Sequence, residues 1–309
     1  MSFDLTGLTD YVDETRPGLI GKVIADPKSA QILDLQTGYK SAGDIHTLDT
    51  DVVLQVDACG RTASGTTTLA KRTLTVGAIK VEEDLCPKEL NAKYTQHMLK
   101  AGSKEDAIPF EKEYTEMKTA KISEVNEVAI WQGDTDSATV NLKRFDGLIK
   151  IIDAEGAVID GNTGNETTKT SANIIKIINA IEAAIPSKLI SKGDVAVLLG
   201  YDDFRLYTQA LVAANLFHYD GAAANMEIFI PGTNVKAIAL DGLTGTDRVF
   251  AGRIGTQGGF VVGTDLENEE ETFDMWYSKD DKIVKFDVSY KLGTQIKFPF
   301  EIVEFTLVV

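Results

Sequence analysis

The chain has 309 residues, 43% hydrophobic and 25% charged, with 31 basic against 47 acidic side chains and a formal charge of −16. That is the composition of a globular protein with a substantial core, and the length suggests about two domains, expected here to be interleaved in sequence. A surface this acidic repels phosphate backbones and anionic lipid, which argues against tight nucleic-acid binding; with no run near the ~18 apolar residues of a membrane helix and no basic-then-apolar start, the protein is expected in the cytoplasm where it is made.

Residues 1–45 mix acidic, Gly and Pro positions with short apolar runs and read as an extended arm. From Val52 the pattern alternates. Val52, Leu54 and Val56 fall on one face, and after the turn-rich stretch from Cys59 to Gly65 come Leu69, Leu74, Val76 and Ile79, which predicts a long β-hairpin. Its Gly, Ser and Thr-rich tip has too little apolar surface to fold on a core of its own, so a neighbouring subunit is expected to support it. Pro87 opens a short helix through Leu90, Tyr94, His97 and Met98, ended by Gly102. A longer helix runs from Pro109 to Trp131, with Phe110, Tyr114, Met117, Val125 and Val128 as its apolar positions; at about 1.5 Å per residue it spans some 33 Å.

Beyond Gly133 the character becomes compact α/β. Ser171 is placed to cap a helix whose Ile174, Ile175, Ile177, Ile178, Ile181 and Ile185 cover a broad apolar face until Pro186. Val195–Leu199, bounded by Gly193 and Gly200, reads as a buried central strand. Asp202 starts another helix with Phe204, Tyr207 and Leu211 inward, and strands follow near 227–230 and 235–240. Alternation returns in Phe273, Met275 and Tyr277, in Ile283, Val284, Phe286 and Val288, and in Phe300, Ile302, Val303 and Leu307; these strands are expected to pair beside the long helix.

Three segments carry a family resemblance: Phe110-Glu111-Lys112-Glu113-Tyr114 opening the long helix, Ala129-Ile130-Trp131-Gln132-Gly133 closing it, and Phe145-Asp146-Gly147-Leu148 soon after. With these and its order of elements, the chain resembles the major capsid proteins of tailed bacteriophages. The resemblance implies an α+β, Hong Kong 97-like fold: an N-terminal arm (1–45), an extended hairpin loop (46–85), a peripheral domain with a spine helix (86–133 and 255–309) and an inserted axial α/β domain (134–254). It further implies hexamers and pentamers closing an icosahedral shell around double-stranded DNA, assembled in the host cytoplasm. Its partners would be copies of itself, a portal, a scaffolding protein and decoration proteins, with weak non-specific contact to packaged DNA and no membrane. Some relatives begin with a scaffolding segment that is not matched here, so it is either removed or a separate protein. Nor are the lysine and asparagine that crosslink some relatives matched. An encapsulin-like compartment on the same fold reads almost alike.

His46, His97 and His218 form no metal-ligand spacing. Gly164 to Thr170 ends in Lys-Thr but lacks the glycine before the lysine of a phosphate loop, and reads as a mobile surface loop. Asp160 to Glu166 carries oxygen ligands in the wrong order for an EF-hand and reads as a turn. Cys59 and Cys86 read as free thiols, and the run Glu267 to Glu271 as a solvated loop or a charged contact with a neighbouring subunit. Trp131, Trp276 and Tyr277 admit a ligand-stacking reading, against core or interface anchors. An α/β enzyme with its site at the Gly200-Tyr201-Asp202-Asp203 strand end is the remaining alternative, but no nucleophile, base and orienter accompany it. The expectation is a non-enzymatic protein with no catalytic, cofactor or metal residues.

Overall fold

The computed structural model describes residues 21–57, 59–60, 63–86, 110–216, 226–265 and 272–308. Residues 21–25 are helical, followed by helix α1 (Lys28–Ile32) and strands β1 (Asp34–Gln36), β2 (Ala42–Thr50), β3 (Thr67–Thr75) and β4 (Gly77–Leu85). Then come the spine helix α2 (Phe110–Gln132), α3 (Leu148–Asp153), β5 (Ile159–Asp160), α4 (Ile174–Ala184), α5 (Ser187–Ile190), β6 (Val195–Leu199) and α6 (Tyr201–Ala213). The remainder is β7 (Glu227–Phe229), β8 (Lys236–Ala239), β9 (Val249–Arg253), β10 (Phe260–Thr264), β11 (Thr272–Ser278), β12 (Ile283–Ile296) and β13 (Val303–Phe305). The expected short helix from Pro87 to Gly102, with His97, lies outside the described residues, as do His218 and the acidic run 267–271.

Strict alternation along β12 buries Val284, Phe286, Val288, Tyr290 and Leu292 on one face. This strand organises a five-stranded sheet, with β11 and β10 along one edge, β4 along the other and β1 parallel to β10. The spine helix packs on its apolar face: the Tyr114 ring meets Phe286 edge-on at 5.6 Å, and the Tyr290 hydroxyl donates to Asn126 Oδ1 at 2.7 Å. The buried stripe of α2 is more polar than its sequence suggested. Thr115, Thr119, Ser123, Asn126 and Glu127 are buried, whereas Met117 and Val125, expected inward, are exposed. The long polar side chains find specific acceptors and donors, so the helix is held by hydrogen bonds as well as by apolar contact.

A six-stranded sheet has the order β5-β13-β9-β6-β8-β7, with β6 in its interior, as its unbroken apolar run predicts. Alternate residues of this sheet serve two cores. Val195, Val197 and Leu199 meet the isoleucines of α4 and Phe204, Tyr207 and Leu211 of α6; Ala196, Leu198 and Phe250 face the core that holds Trp131 and Phe260. The α/β region is therefore joined to the spine region by a shared core.

Four expectations are corrected. Residues 21–36 are built into the molecule: Val23 and Ile24 are fully buried, Asn126 Nδ2 donates to the Val23 carbonyl at 3.1 Å, and β1 pairs with β10. Ser171 is replaced at the start of α4 by Asn173, whose Oδ1 accepts from the Thr170 amide at 2.7 Å in the preceding turn. The hairpin ladder is earlier than Val52, running from Ala42↔Thr75 to Thr50↔Thr67, which leaves Val52, Leu54 and Val56 in its end loop, while Ile79 belongs to β4 on the large sheet. Alternation marks a segment as fit for pairing and does not say what lies opposite. Finally, β13 pairs with β5 and β9 in the six-stranded sheet rather than beside the spine, and Phe300 is exposed in a 3₁₀ turn before it.

The two glycines within the resembling segments lie back to back. The Gly147 amide donates to the Gly133 carbonyl at 2.8 Å, and a Cβ on Gly147 would sit 2.5 Å from the Gly133 nitrogen and 2.6 Å from the Trp131 carbonyl oxygen. Backbone cannot yield as a flexible side chain would, so Gly147→Ala is expected to lower stability by about 1–3 kcal/mol, seen as a lower urea midpoint at unchanged slope. An unchanged midpoint would contradict this packing.

Candidate assembly surfaces

The β2–β3 hairpin forms a sheet of its own. Its base is anchored: Ile45, Leu74 and Val76 pack with Val261 and Tyr39, and Arg72 pairs with Glu155 at 2.5 Å. Asp44 accepts hydrogen bonds from the Thr73 hydroxyl at 2.7 Å and from Lys71 Nζ at 3.0 Å, which hold its carboxyl below the usual range. Toward the end the support disappears. Leu48 and Leu69 face each other across the ladder and are both exposed; beyond them Val52 and Val53 are exposed, Leu54 is 92% exposed and Val56 90%. An isolated two-stranded ribbon is marginal in water, and a contiguous exposed apolar patch marks a place where another surface belongs.

The spine's far end is held by a buried network. Glu127 accepts from the Ser29 amide at 2.8 Å and from the Ser29 hydroxyl at 2.6 Å, and Trp131 Nε1 donates to Ser29 Oγ at 2.6 Å. Burial pushes the Glu127 carboxyl above its ordinary value, and the two bonds from Ser29 oppose that shift. Trp131 stacks on Phe250 at 5.5 Å and lies 5.9 Å from Phe260, so it is a core residue and neither a ligand platform nor an interface anchor. Trp276 is 37% exposed on β11, and its neighbour Tyr277 points to the other face of the strand, so the three aromatics do not form one set.

The remaining positions of interest are structural. Lys169, read as part of a mobile loop, is inserted against α6 and pairs with Asp203, both side chains nearly buried; desolvation raises the Asp203 carboxyl and Lys169 partly offsets it. That pair lies at the Gly200–Asp203 strand end, the position of the alternative enzyme site. Asn162 closes the 160–166 turn, donating to the Glu166 and Thr306 carbonyls at 3.0 and 2.7 Å and accepting from the Glu166 amide. His46 is exposed on β2, and Cys59 and Cys86 are exposed free thiols. Among the described residues no group of His, Cys, Asp and Glu has the arrangement of a metal site, and no helix is long and apolar enough to cross a membrane. The burial of Lys169 and Glu127 carried no sequence signal, since each partner lies far along the chain.

No protein-family model matches the sequence, and no curated protein matches it either. Solved structures do match. The chain is similar to one in the satellite phage P4 procapsid including size determination (Sid) protein, with a TM-score of 0.64 at 10% identity, covering 95% of this chain and 91% of that one. A chain of the capsid of an empty GTA particle matches with a TM-score of 0.60 at 9% identity, covering 93% and 90%. The virus-like particle from Pyrococcus furiosus matches with a TM-score of 0.54 at 12% identity, covering 96% and 99%. Likeness at such identity speaks for architecture, and it extends over nearly the whole of each chain. With its hairpin, spine helix, five-stranded sheet and α/β sheet in this order, the chain has the Hong Kong 97-like fold of tailed-phage capsid proteins.

Proposed function

We propose that the chain is the major capsid protein of a tailed phage, assembling into hexamers and pentamers of an icosahedral shell around double-stranded DNA. The observation that carries this reading is the exposed apolar end of the hairpin on a subunit with the capsid fold. In the proposed division, β2–β3 is the extended loop lying over a neighbour. The spine with the five-stranded sheet forms the peripheral domain, and the six-stranded sheet with α4 and α6 meets its copies at the capsomer axis. The mechanism is association: many modest interfaces closed by symmetry, so that the whole outlasts any pair. A role in structure rather than catalysis fits the placement of Lys169, Asp203 and Trp131 in packing. The charge of −16 suits loose contact with packaged DNA. Portal, scaffolding and decoration proteins complete the proposed set of partners.

Size-exclusion chromatography and negative-stain microscopy of the purified protein test the reading. Capsomers or closed particles are expected; a small oligomer whose melting responds to a metabolite would overturn it in favour of an enzyme. The match covering 99% of the Pyrococcus furiosus virus-like particle chain favours, as a second reading, an encapsulin-like compartment. Particles isolated from the native host separate the two by content, double-stranded DNA against a cargo protein.

A further inference from the structure

We infer that Lys169 and Asp203 become joined within one chain by an isopeptide bond, which the folded subunit forms on itself. The two residues come from separate elements, Lys169 from the loop before α4 and Asp203 from the first turn of α6. Lys169 Nζ lies 2.5 Å from Asp203 Oδ2, and the two side chains are only 4% and 11% exposed. An oxygen at that distance puts the carboxyl carbon within roughly 3–3.5 Å of the nitrogen, the separation of atoms held ready to react.

The surroundings favour a neutral pair. Burial raises the Asp203 carboxyl; Lys169 opposes that shift, and the neighbouring carboxylates of Asp247 and Asp202 add to it. A buried ammonium and carboxylate carry a desolvation penalty that their attraction only partly offsets. Passing a proton from Nζ to the carboxylate leaves an amine and a carboxylic acid, both uncharged, with the nitrogen lone pair beside the carboxyl carbon. A third group stands at hand. Asp247 Oδ1 is 3.9 Å from Nζ, on a residue held at φ 56° before β9, and its side chain is 74% exposed. It can take a proton from the attacking nitrogen and return it to the departing oxygen.

The bond that forms joins Nζ to Asp203 Cγ, and the bond that breaks joins Cγ to its hydroxyl oxygen. One amine proton goes to that hydroxyl, and a single water leaves, so no oxidant or further reactant is required. The product is a neutral amide in place of two buried charges, where water has little access to reverse the step. Burial of a lysine with an acid is not sufficient by itself. Lys297 and Asp34 are also nearly buried, but Gln36 Nε2 donates to the same Asp34 oxygen at 2.8 Å, which favours the charged carboxylate. Asp203 accepts from no donor but Lys169 among the described residues. The bond closes a ring through α4, α5 and β6 and fastens the loop to α6.

Mass spectrometry of the purified full chain tests this. The intact subunit is expected to be lighter than its sequence by the mass of one water. Trypsin should leave residues 151–176 joined to 193–205, with Lys169 uncut and Lys297 cut as usual. Lys169→Arg, which keeps a cation for Asp203, should show the full sequence mass. Asp247→Asn should lose the water about a hundredfold more slowly when newly made protein is followed over time. Full sequence mass in the parent after prolonged incubation, with trypsin cutting at Lys169, would overturn the bond, and so would a water loss that maps to other residues. A parental rate in Asp247→Asn would overturn its part as proton relay. None of these outcomes bears on the shell reading, which is tested by particle formation.

Discussion

Trp131→Ala is expected to remove about 3–5 kcal/mol of stability, roughly a fifth or more of what a typical domain has, and to lower the melting temperature by roughly 10 °C. The indole is fully buried, stacked on Phe250 and close to Phe260, at the point where the spine helix, the six-stranded sheet and β10 meet. Truncation opens a cavity between the rings of Phe250 and Phe260, which belong to strands of two different sheets and cannot collapse together without moving one of them. It also removes the donor to Ser29 Oγ, the hydroxyl that itself donates to the buried Glu127 carboxylate, leaving the serine with one bond fewer in a place water does not reach. Trp276→Ala is the control: on the partly exposed face of β11 it should shift melting little. If the two variants melted alike by calorimetry, Trp131 would not be the structural pivot described.

Replacing Thr47–Ala70 by a two-residue Asn-Gly turn should leave a folded subunit that forms no closed particles. The excision spares the buried base residues Ile45, Leu74 and Val76 and keeps the ladder from Ala42↔Thr75 to His46↔Lys71, while Asn-Gly supplies the turn geometry that matches strand twist. It removes Leu48, Leu69, Val52, Leu54 and Val56, all exposed, so little folding energy is lost with them. The whole effect should therefore appear in assembly. Near-parental melting with only free subunits or open fragments in electron micrographs is the expected result; shells of normal size and number would remove the hairpin from the assembly mechanism.

Much of the architecture was legible because it is written in local periodicity. The apolar run Val195–Leu199 announced an interior strand, the spacing of Phe204, Tyr207 and Leu211 announced the inward face of α6, and the alternation from Val284 to Val288 announced the strand that organises the large sheet. Periodicity reports that a face is buried, not what covers it. Nothing in Val303–Phe305 says that this strand leaves the C-terminal sheet for β9 and β5, and nothing in Val23 and Ile24 distinguishes a packed segment from an arm. The spine helix illustrates the same limit from the other side: its inward stripe of Thr115, Thr119, Ser123, Asn126 and Glu127 reads as solvent-facing, because the partners that make the burial of Asn126 and Glu127 tolerable lie about a hundred residues or more away, while Thr119 is satisfied by the Thr115 carbonyl one turn back.

The sequence by itself thus determined the order of most of the described elements, the acidic balance and the small apolar content of the hairpin tip, all properties of short windows or of composition. Only the tertiary structure decided that Trp131 is core, that Lys169 and Asp203 form a buried pair, and that Val52, Leu54 and Val56 stand uncovered. Those depend on which distant segments meet, and the free energy of a contact belongs to both of its partners.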